Sequence, residues 1–300
     1  MLKIQKQFNN IKIHTQYSIC EGAIKIDDLA DYCKLNKLKA VGLADTNNLC
    51  GALEFAEKIS KVGTQPIIGT QINLSYSNII GKVTLYATTE KGYKNLTKLS
   101  SLSYLKNDEL SDPHVTFDYL LNNSEGIALF SGTVFGLFGK LFDKGKFTEI
   151  HDSYNKIKSK FGDRFYIEIQ RHKDLNENGF EKFNLKKSSD LEIPIIANNE
   201  VYYLDKNMHE AHDALICIGN KTYVNEKNRL KFTDQHYLKN NFEMSDLFAD
   251  LPEALENNYN FPLRCNYRPL FSNPILPNIS QDKGGDADDI LKKESIEGLL

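Results

Sequence analysis

Short apolar runs, most of them closed by a polar residue, recur along the chain at Ile11 to His14, Ala40 to Asp45, Pro66 to Ile72, Lys82 to Ala87, Gly126 to Ser131, Arg164 to Gln170 and Ile193 to Asn198. Their length and near-continuous hydrophobicity match strands buried on both faces of a parallel sheet. Between them the apolar positions fall at helical spacing. Ile26, Leu29, Ala30 and Cys33 follow the acidic pair Asp27 and Asp28, and Leu49, Ala52, Leu53, Ala56 and Ile59 mark a second helix. Further helices are predicted from Tyr93 to Leu105, near 135–143, 147–160 and 176–190, and from Lys206 to Ile218. Strands alternating with helices predict an α/β fold with a parallel sheet, and seven of them favour closure into a β/α barrel. His14, Asp45, Gln71, Ser131, Thr133, Asn199 and Glu200 follow strands, so they are expected to ring one mouth.

Beyond Gly219 the alternation stops. Phe242 to Leu255 reads as two short helices hinged at Pro252, and Pro269, Pro274 and Pro277 mark an extended linker. From Asp286 an amphipathic helix begins and breaks off in mid-pattern at Leu300. The expected organisation is a barrel with a small helical extension over 1–268, a linker over 269–285, and the start of another unit over 286–300, the whole being a fragment of something longer.

Composition narrows the classes. The chain has 300 residues, 41% hydrophobic and 26% charged, as in an ordinary soluble domain with a sizeable core. No apolar run approaches the roughly 18 residues of a membrane span, and the N-terminus lacks a signal-peptide core, so no membrane association and a cytoplasmic location are expected. Cys20, Cys33, Cys50, Cys217 and Cys265 are odd in number and without a CxxC pair, which argues for reduced thiols. The net charge is −3, and lysines are interleaved with acids. That argues against a primary DNA-gripping groove, which needs a positive excess.

The candidate chemistry begins at Ile11 to Gly22. There a strand ends in His14, and a polar turn carrying Ser18 and Glu21 is closed by Gly22. His14 reads either as a buried histidine bonded to a carboxylate or as a metal ligand. His209 and His212 lie one helical turn apart, but with no acid of suitable spacing they read as ordinary helix residues. His172 lies at a strand end and can face the mouth; His114, His151 and His236 read as loop or surface residues. The lysines at 156, 158 and 160 read as a solvated helix face.

His14-Thr15-Gln16-Tyr17-Ser18, Leu43 to Ala52, Pro66-Ile67-Ile68-Gly69 and Glu90 to Leu96 together resemble the polymerase-and-histidinol-phosphatase (PHP) domain. Arg164 to Gln170, Ala211 to Ile218 and Glu243 to Asn257 resemble more narrowly the form of that domain found in bacterial replicative DNA polymerase III alpha subunits. The likeness runs from about residue 8 to 268, and it implies that 286–300 is the start of the polymerase palm region. It implies a distorted seven-stranded barrel and, in active members, nine ligands holding up to three metal ions that activate water for phosphoester hydrolysis. It also implies partners: the rest of the alpha chain, the proofreading exonuclease (epsilon) subunit, the replisome, and DNA through the parent chain.

The nine ligand positions implied by the resemblance fall on Lys12, His14, Glu21, Thr46 (after Asp45), Gln71, Lys82, Thr133, Glu200 and Tyr202. His14 alone is unchanged, and Glu21 and Glu200 keep a charge, leaving these three as residual metal candidates. A protonated lysine cannot ligate a cation. A degenerate domain is therefore expected, without hydrolytic activity, bound metal or other cofactor, the catalytic magnesium belonging to the absent polymerase region. Lys12 and Lys82 are either surface lysines or site residues whose ammonium groups replace the metal charge and neutralise Glu21, Asp45 and Glu200. The rival reading is an active metal-dependent phosphoesterase or 3'-5' exonuclease with a rearranged site of His14, Glu21, Asp45, His172 and Glu200.

Overall fold

In a computed structural model, which describes residues 6–107, 111–274 and 286–299, the strands and helices follow one another in the expected alternation. They are β1 (Lys12–Ile13), α1 (Ile26–Leu35), β2 (Ala40–Thr46), α2 (Ala52–Lys61), β3 (Gln65–Tyr76), β4 (Ile79–Ala87), α3 (Glu90–Leu105), β5 (Val115–Thr116), α4 (Phe117–Asn122) and β6 (Ile127–Phe130). There follow α5 (Leu137–Asp143), α6 (Phe147–Phe161), β7 (Phe165–Ile169), α7 (Glu177–Leu191), β8 (Ile195–Ala197), β9 (Glu200–Val201), α8 (His209–Asn220), α9 (Asn241–Leu247), α10 (Pro252–Asn260) and α11 (Ala287–Leu299). The two short helices around Pro252 are α9 and α10, with Pro252 in the first turn of α10, where its missing N–H costs nothing.

The strands form one sheet in the order β8-β7-β6-β4-β3-β2-β1-β9, with β5 paired to β3. The edge strands β8 and β9 are separated in the chain only by Asn198 and Asn199. The sheet must therefore curl until its edges nearly meet, giving the barrel-like form expected. Two features depart from the reading of the sequence. First, nine strands are present among the described residues, because β5 and β9 are two-residue strands below the reach of periodicity. Second, the sheet is mixed, since β4 runs antiparallel to both β3 and β6. Strands β3 and β4 each extend toward the other, leaving only Ser77 and Asn78 between them, and both adopt positive φ (50° and 58°). A two-residue turn of that kind makes a hairpin, whereas a parallel connection needs about a dozen residues.

The inversion matters for the site. Lys82 lies near the start of β4, opposite Asn73 of β3, so it sits at the same end of the sheet as the finishes of the parallel strands. The opposite end is packed by Ala40, Tyr86, Tyr166 and Phe261, among others. Phe261, just past α10, meets the rings of Tyr86, Phe130 and Tyr166 at centroid separations of 5.4, 4.9 and 5.9 Å. The helical extension thus plugs one end of the barrel and leaves the polar mouth at the other.

The chain divides into two compact units, Met1–Pro269 and Leu270–Leu300. Residues 275–285 of the expected linker lie outside the described residues. No described helix is long and apolar enough to cross a membrane.

Candidate functional site, a lysine-filled barrel mouth

Parallel pairing of β1 with β9 sets Lys12 beside Glu200 in register. The Lys12 side chain is fully buried, its ammonium 3.3 Å from Glu200 Oε1 and 3.5 Å from Glu168 Oε1. It is therefore no surface lysine. Glu168, on β7, was not among the expected site residues; it also accepts from Gln170 Nε2 and from Asn198 Nδ2 at 2.7 Å. The signal for it was a lone acid inside an apolar strand, Phe-Tyr-Ile-Glu-Ile, whose burial demands a partner.

Glu200 Oε1 is the hub. His14 Nε2 lies 3.2 Å away, and Gln71 Nε2 donates to the same oxygen. Burial alone would raise the Glu200 carboxyl, but Lys12, then His14, hold it well below the usual carboxylate range. The other nitrogen of His14 lies 3.3 Å from Ser18 Oγ, and its ring stacks on Tyr202 at 4.4 Å and 16°. Tyr202, one of the nine positions the resemblance implies, is therefore a buried ring packed against the imidazole.

A second pair sits nearer the surface. Lys82 Nζ donates to Glu21 Oε1 and Oε2 at 2.8 and 3.0 Å, and Thr46 Oγ1 donates to Glu21. About a third of each charged side chain remains exposed. Burial raises the Glu21 carboxyl, but the Lys82 ammonium and His14 bring it below its ordinary value.

Asp45 departs from expectation. It is neutralised by no lysine; it accepts hydrogen bonds from Thr15 N (2.7 Å), Thr15 Oγ1 (2.8 Å) and Ser18 Oγ (2.7 Å). Burial outweighs these donors and pushes its carboxyl up. Its task is to lock the loop after β1, which Gly22 closes so tightly that a Cβ there would lie 2.2 Å from the Thr15 carbonyl oxygen. Thr133 serves its own turn, its hydroxyl accepting from Phe135 N at 3.1 Å.

The histidines need one further correction. His236 is buried, stacked on His172 at 4.1 Å and 9°, and its Nδ1 lies 3.1 Å from the Glu200 carbonyl. It lies in a loop, the irregular segment after α8, as expected; its burial is what no periodicity reports there. His209 and His212 do not converge on one point: their Nε2 atoms bond the carbonyls of Phe232 and Glu21 respectively.

The PHP domain family model matches residues 10–172, just over half of the 300 residues. The chain belongs to the PHP domain family. Over nearly its whole length this PHP domain is also similar to curated DNA polymerase III alpha subunits: 35% identical to that of Rickettsia conorii over 99% of the chain, 36% to that of Caulobacter vibrioides over 97%, and 34% to that of Borreliella burgdorferi over 92%. It spans about a quarter of the length of these relatives, 25 to 26%. Among solved structures, an amidohydrolase from Chromobacterium violaceum aligns with a TM-score of 0.44 at 10% identity, over 65% of this chain and 87% of that one.

At the nine positions that the resemblance implies, the residues present do not fit a metal cluster. The donor set there has two ammonium groups, two threonine hydroxyls, an amide and a phenol beside one imidazole and two carboxylates. Both carboxylates already hold a lysine partner at 2.8 to 3.3 Å. Of the rearranged set, only His14 and Glu200 meet side chain to side chain. Glu21 and Asp45 are engaged elsewhere, and His172 Nε2 contacts the Glu200 backbone N–H at 3.3 Å.

Proposed function

We propose that this chain is the N-terminal PHP domain of a DNA polymerase III alpha subunit and that it hydrolyses nothing itself. The observation that carries the second part is the Lys12 ammonium, buried between Glu168 and Glu200 where a metal ligand would stand. Hydrolysis by this family needs cations that activate water. Lysines at these positions supply positive charge without Lewis acidity or an exchangeable water. The pocket is then a structural relic, its charges balanced so that the barrel mouth stays folded.

The similarity to alpha subunits over 97 to 99% of the chain supports the first part. In that reading the domain supports a polymerase core in the cytoplasm. Phosphoryl transfer and its magnesium ions belong to carboxylates of the palm, outside these 300 residues. The domain also offers a docking surface to the proofreading exonuclease, and works on DNA only through the parent chain and its replisome.

The test of silence is hydrolysis of p-nitrophenyl phosphate by the purified chain with manganese or zinc. The expected rate equals that of the metal alone. Metal-dependent turnover that His14→Gln abolishes would overturn the proposal in favour of an active phosphoesterase. For docking, size-exclusion chromatography with the exonuclease subunit should show co-elution; separate elution would contradict that part.

A further inference from the structure

Beside the lysine-filled pocket lies a second cluster, drawn from the loop after β7 and the irregular segment before α9. His172, Asp174 and His236 each bring one potential ligand atom within 4.8 Å of the others. None of the three stands at a former ligand position. Glu177, at the start of α7, adds a carboxylate oxygen 3.8 Å from His172 Nδ1.

The hydrogen bonds of His236 decide how this cluster reads. Its Nδ1 lies 3.1 Å from the carbonyl oxygen of Glu200, and a carbonyl can only accept, so Nδ1 carries a proton. In the neutral ring Nε2 is then a bare lone pair. That nitrogen is buried and without a hydrogen-bond partner, and it faces Asp174 Oδ2 at 3.4 Å. His236 is 1% exposed and the Asp174 side chain 5%, so water does little to screen the two acceptors. Two acceptors aimed at each other in a dry site repel unless a cation lies between them.

We propose that His172, Asp174 and His236 form a binding site for one borderline divalent cation of the zinc class, separate from the lysine-filled pocket. Two imidazoles and a carboxylate are a donor set such ions take, with a fourth position left to Glu177 or to water. The backbone carbonyl on His236 Nδ1 is the outer-shell partner that fixes a metal-binding imidazole in the right tautomer. His172 Nε2 is engaged by Asn199 Oδ1 at 3.1 Å and by the Glu200 N–H at 3.3 Å, so Nδ1, the nitrogen on the Glu177 side, is the one left for a metal. The Lys239 ammonium bonds Asn199 Oδ1 at 3.1 Å and opposes a cation, but burial brings it down to about 8, and Asp174 and Glu177 outweigh it in number.

The site would clasp two parts of the chain. Thr233 Oγ1 already donates to the His172 carbonyl, and Tyr202 N donates to the His236 carbonyl at 3.0 Å. A metal bonded to both histidines would pin the segment before α9 to the barrel without any catalytic role.

The experiment uses the whole chain, stripped with EDTA, dialysed free of chelator and titrated with zinc sulfate by calorimetry, with bound zinc counted by mass spectrometry. The expected result is one zinc per chain, a zinc-dependent rise in melting temperature, and affinity at least about 100-fold weaker in Asp174→Asn, since losing a ligand costs at least what losing its outer-shell partner does. Asp174→Asn is nearly isosteric, and its circular dichroism confirms folding; His236→Gln should behave alike. Unchanged affinity in the His14→Gln variant is expected too, and separates this site from the former one. No zinc bound by the folded wild type, or equal binding in Asp174→Asn, would overturn the proposal and assign His236 and Asp174 to a proton-bridged ion pair.

Discussion

Replacing Lys12 by methionine keeps most of the volume and removes the charge. In the wild type the ammonium is 0% exposed and lies 3.3 and 3.5 Å from two carboxylates. The variant leaves Glu168 and Glu200 buried with no cation between them. Breaking a buried ion pair by deleting one partner costs about 3–5 kcal/mol. At about 2–4 °C per kcal/mol for a domain of this size, the melting temperature should fall by on the order of 10 °C. The loss should also depend on pH. With Lys12 present the folded Glu200 carboxyl lies well below its unfolded value, so its contribution is complete above about pH 4.5 and is lost only as pH falls through the folded value. Removing Lys12 takes away the largest influence that opposes burial, so the folded carboxyl should rise. Protonation then relieves the fold, and the penalty should shrink between pH 8 and pH 5. Urea unfolding of both proteins at the two pH values measures this. A penalty under about 1 kcal/mol, or one equal at both pH values, would refute the idea that Lys12 neutralises this pocket.

Lys82→Met should cost far less, about 1 kcal/mol or under, because its pair with Glu21 is a third exposed; a loss matching that of Lys12→Met in the same urea assay would contradict the ranking. Asp45→Asn should destabilise by about 1–3 kcal/mol, since an amide cannot accept from Thr15 N, Thr15 Oγ1 and Ser18 Oγ as the carboxylate does; thermal melting reads it. Burial lowers His212 to about 4, below its unfolded value near 6.5, so the unfolded chain takes up the proton first. Its share of stability should be lost between about pH 6.5 and 4. In His212→Gln the acid slope of the melting curve should flatten, and an unchanged slope would rule this source out.

The barrel was legible because each buried strand is a compact apolar run and each helix carries its own stripe, so Ala40 to Asp45 or Phe165 to Ile169 needs no tertiary information. The inverted β4 was hidden because Ile79 to Gly81 carries no alternation, and the hairpin lies in the torsions of Ser77 and Asn78. At the mouth, the resemblance placed Lys12, His14, Glu200 and Tyr202 together, and the parallel register of β1 with β9 explains why. Glu168 and His236 were missed for a different reason. Their roles arise from pairing across more than thirty positions, Glu168 with Lys12 and His236 with the Glu200 carbonyl, and no local pattern encodes such contacts.

The most direct test of the lysine-filled mouth is a crystal structure of the chain soaked in manganese and read by anomalous scattering. No anomalous peak is expected among Lys12, His14, Glu21 and Glu200, with the Lys12 ammonium in density between Glu168 and Glu200. A peak bonded to His14 and Glu200, with Lys12 displaced from between the carboxylates, would contradict it.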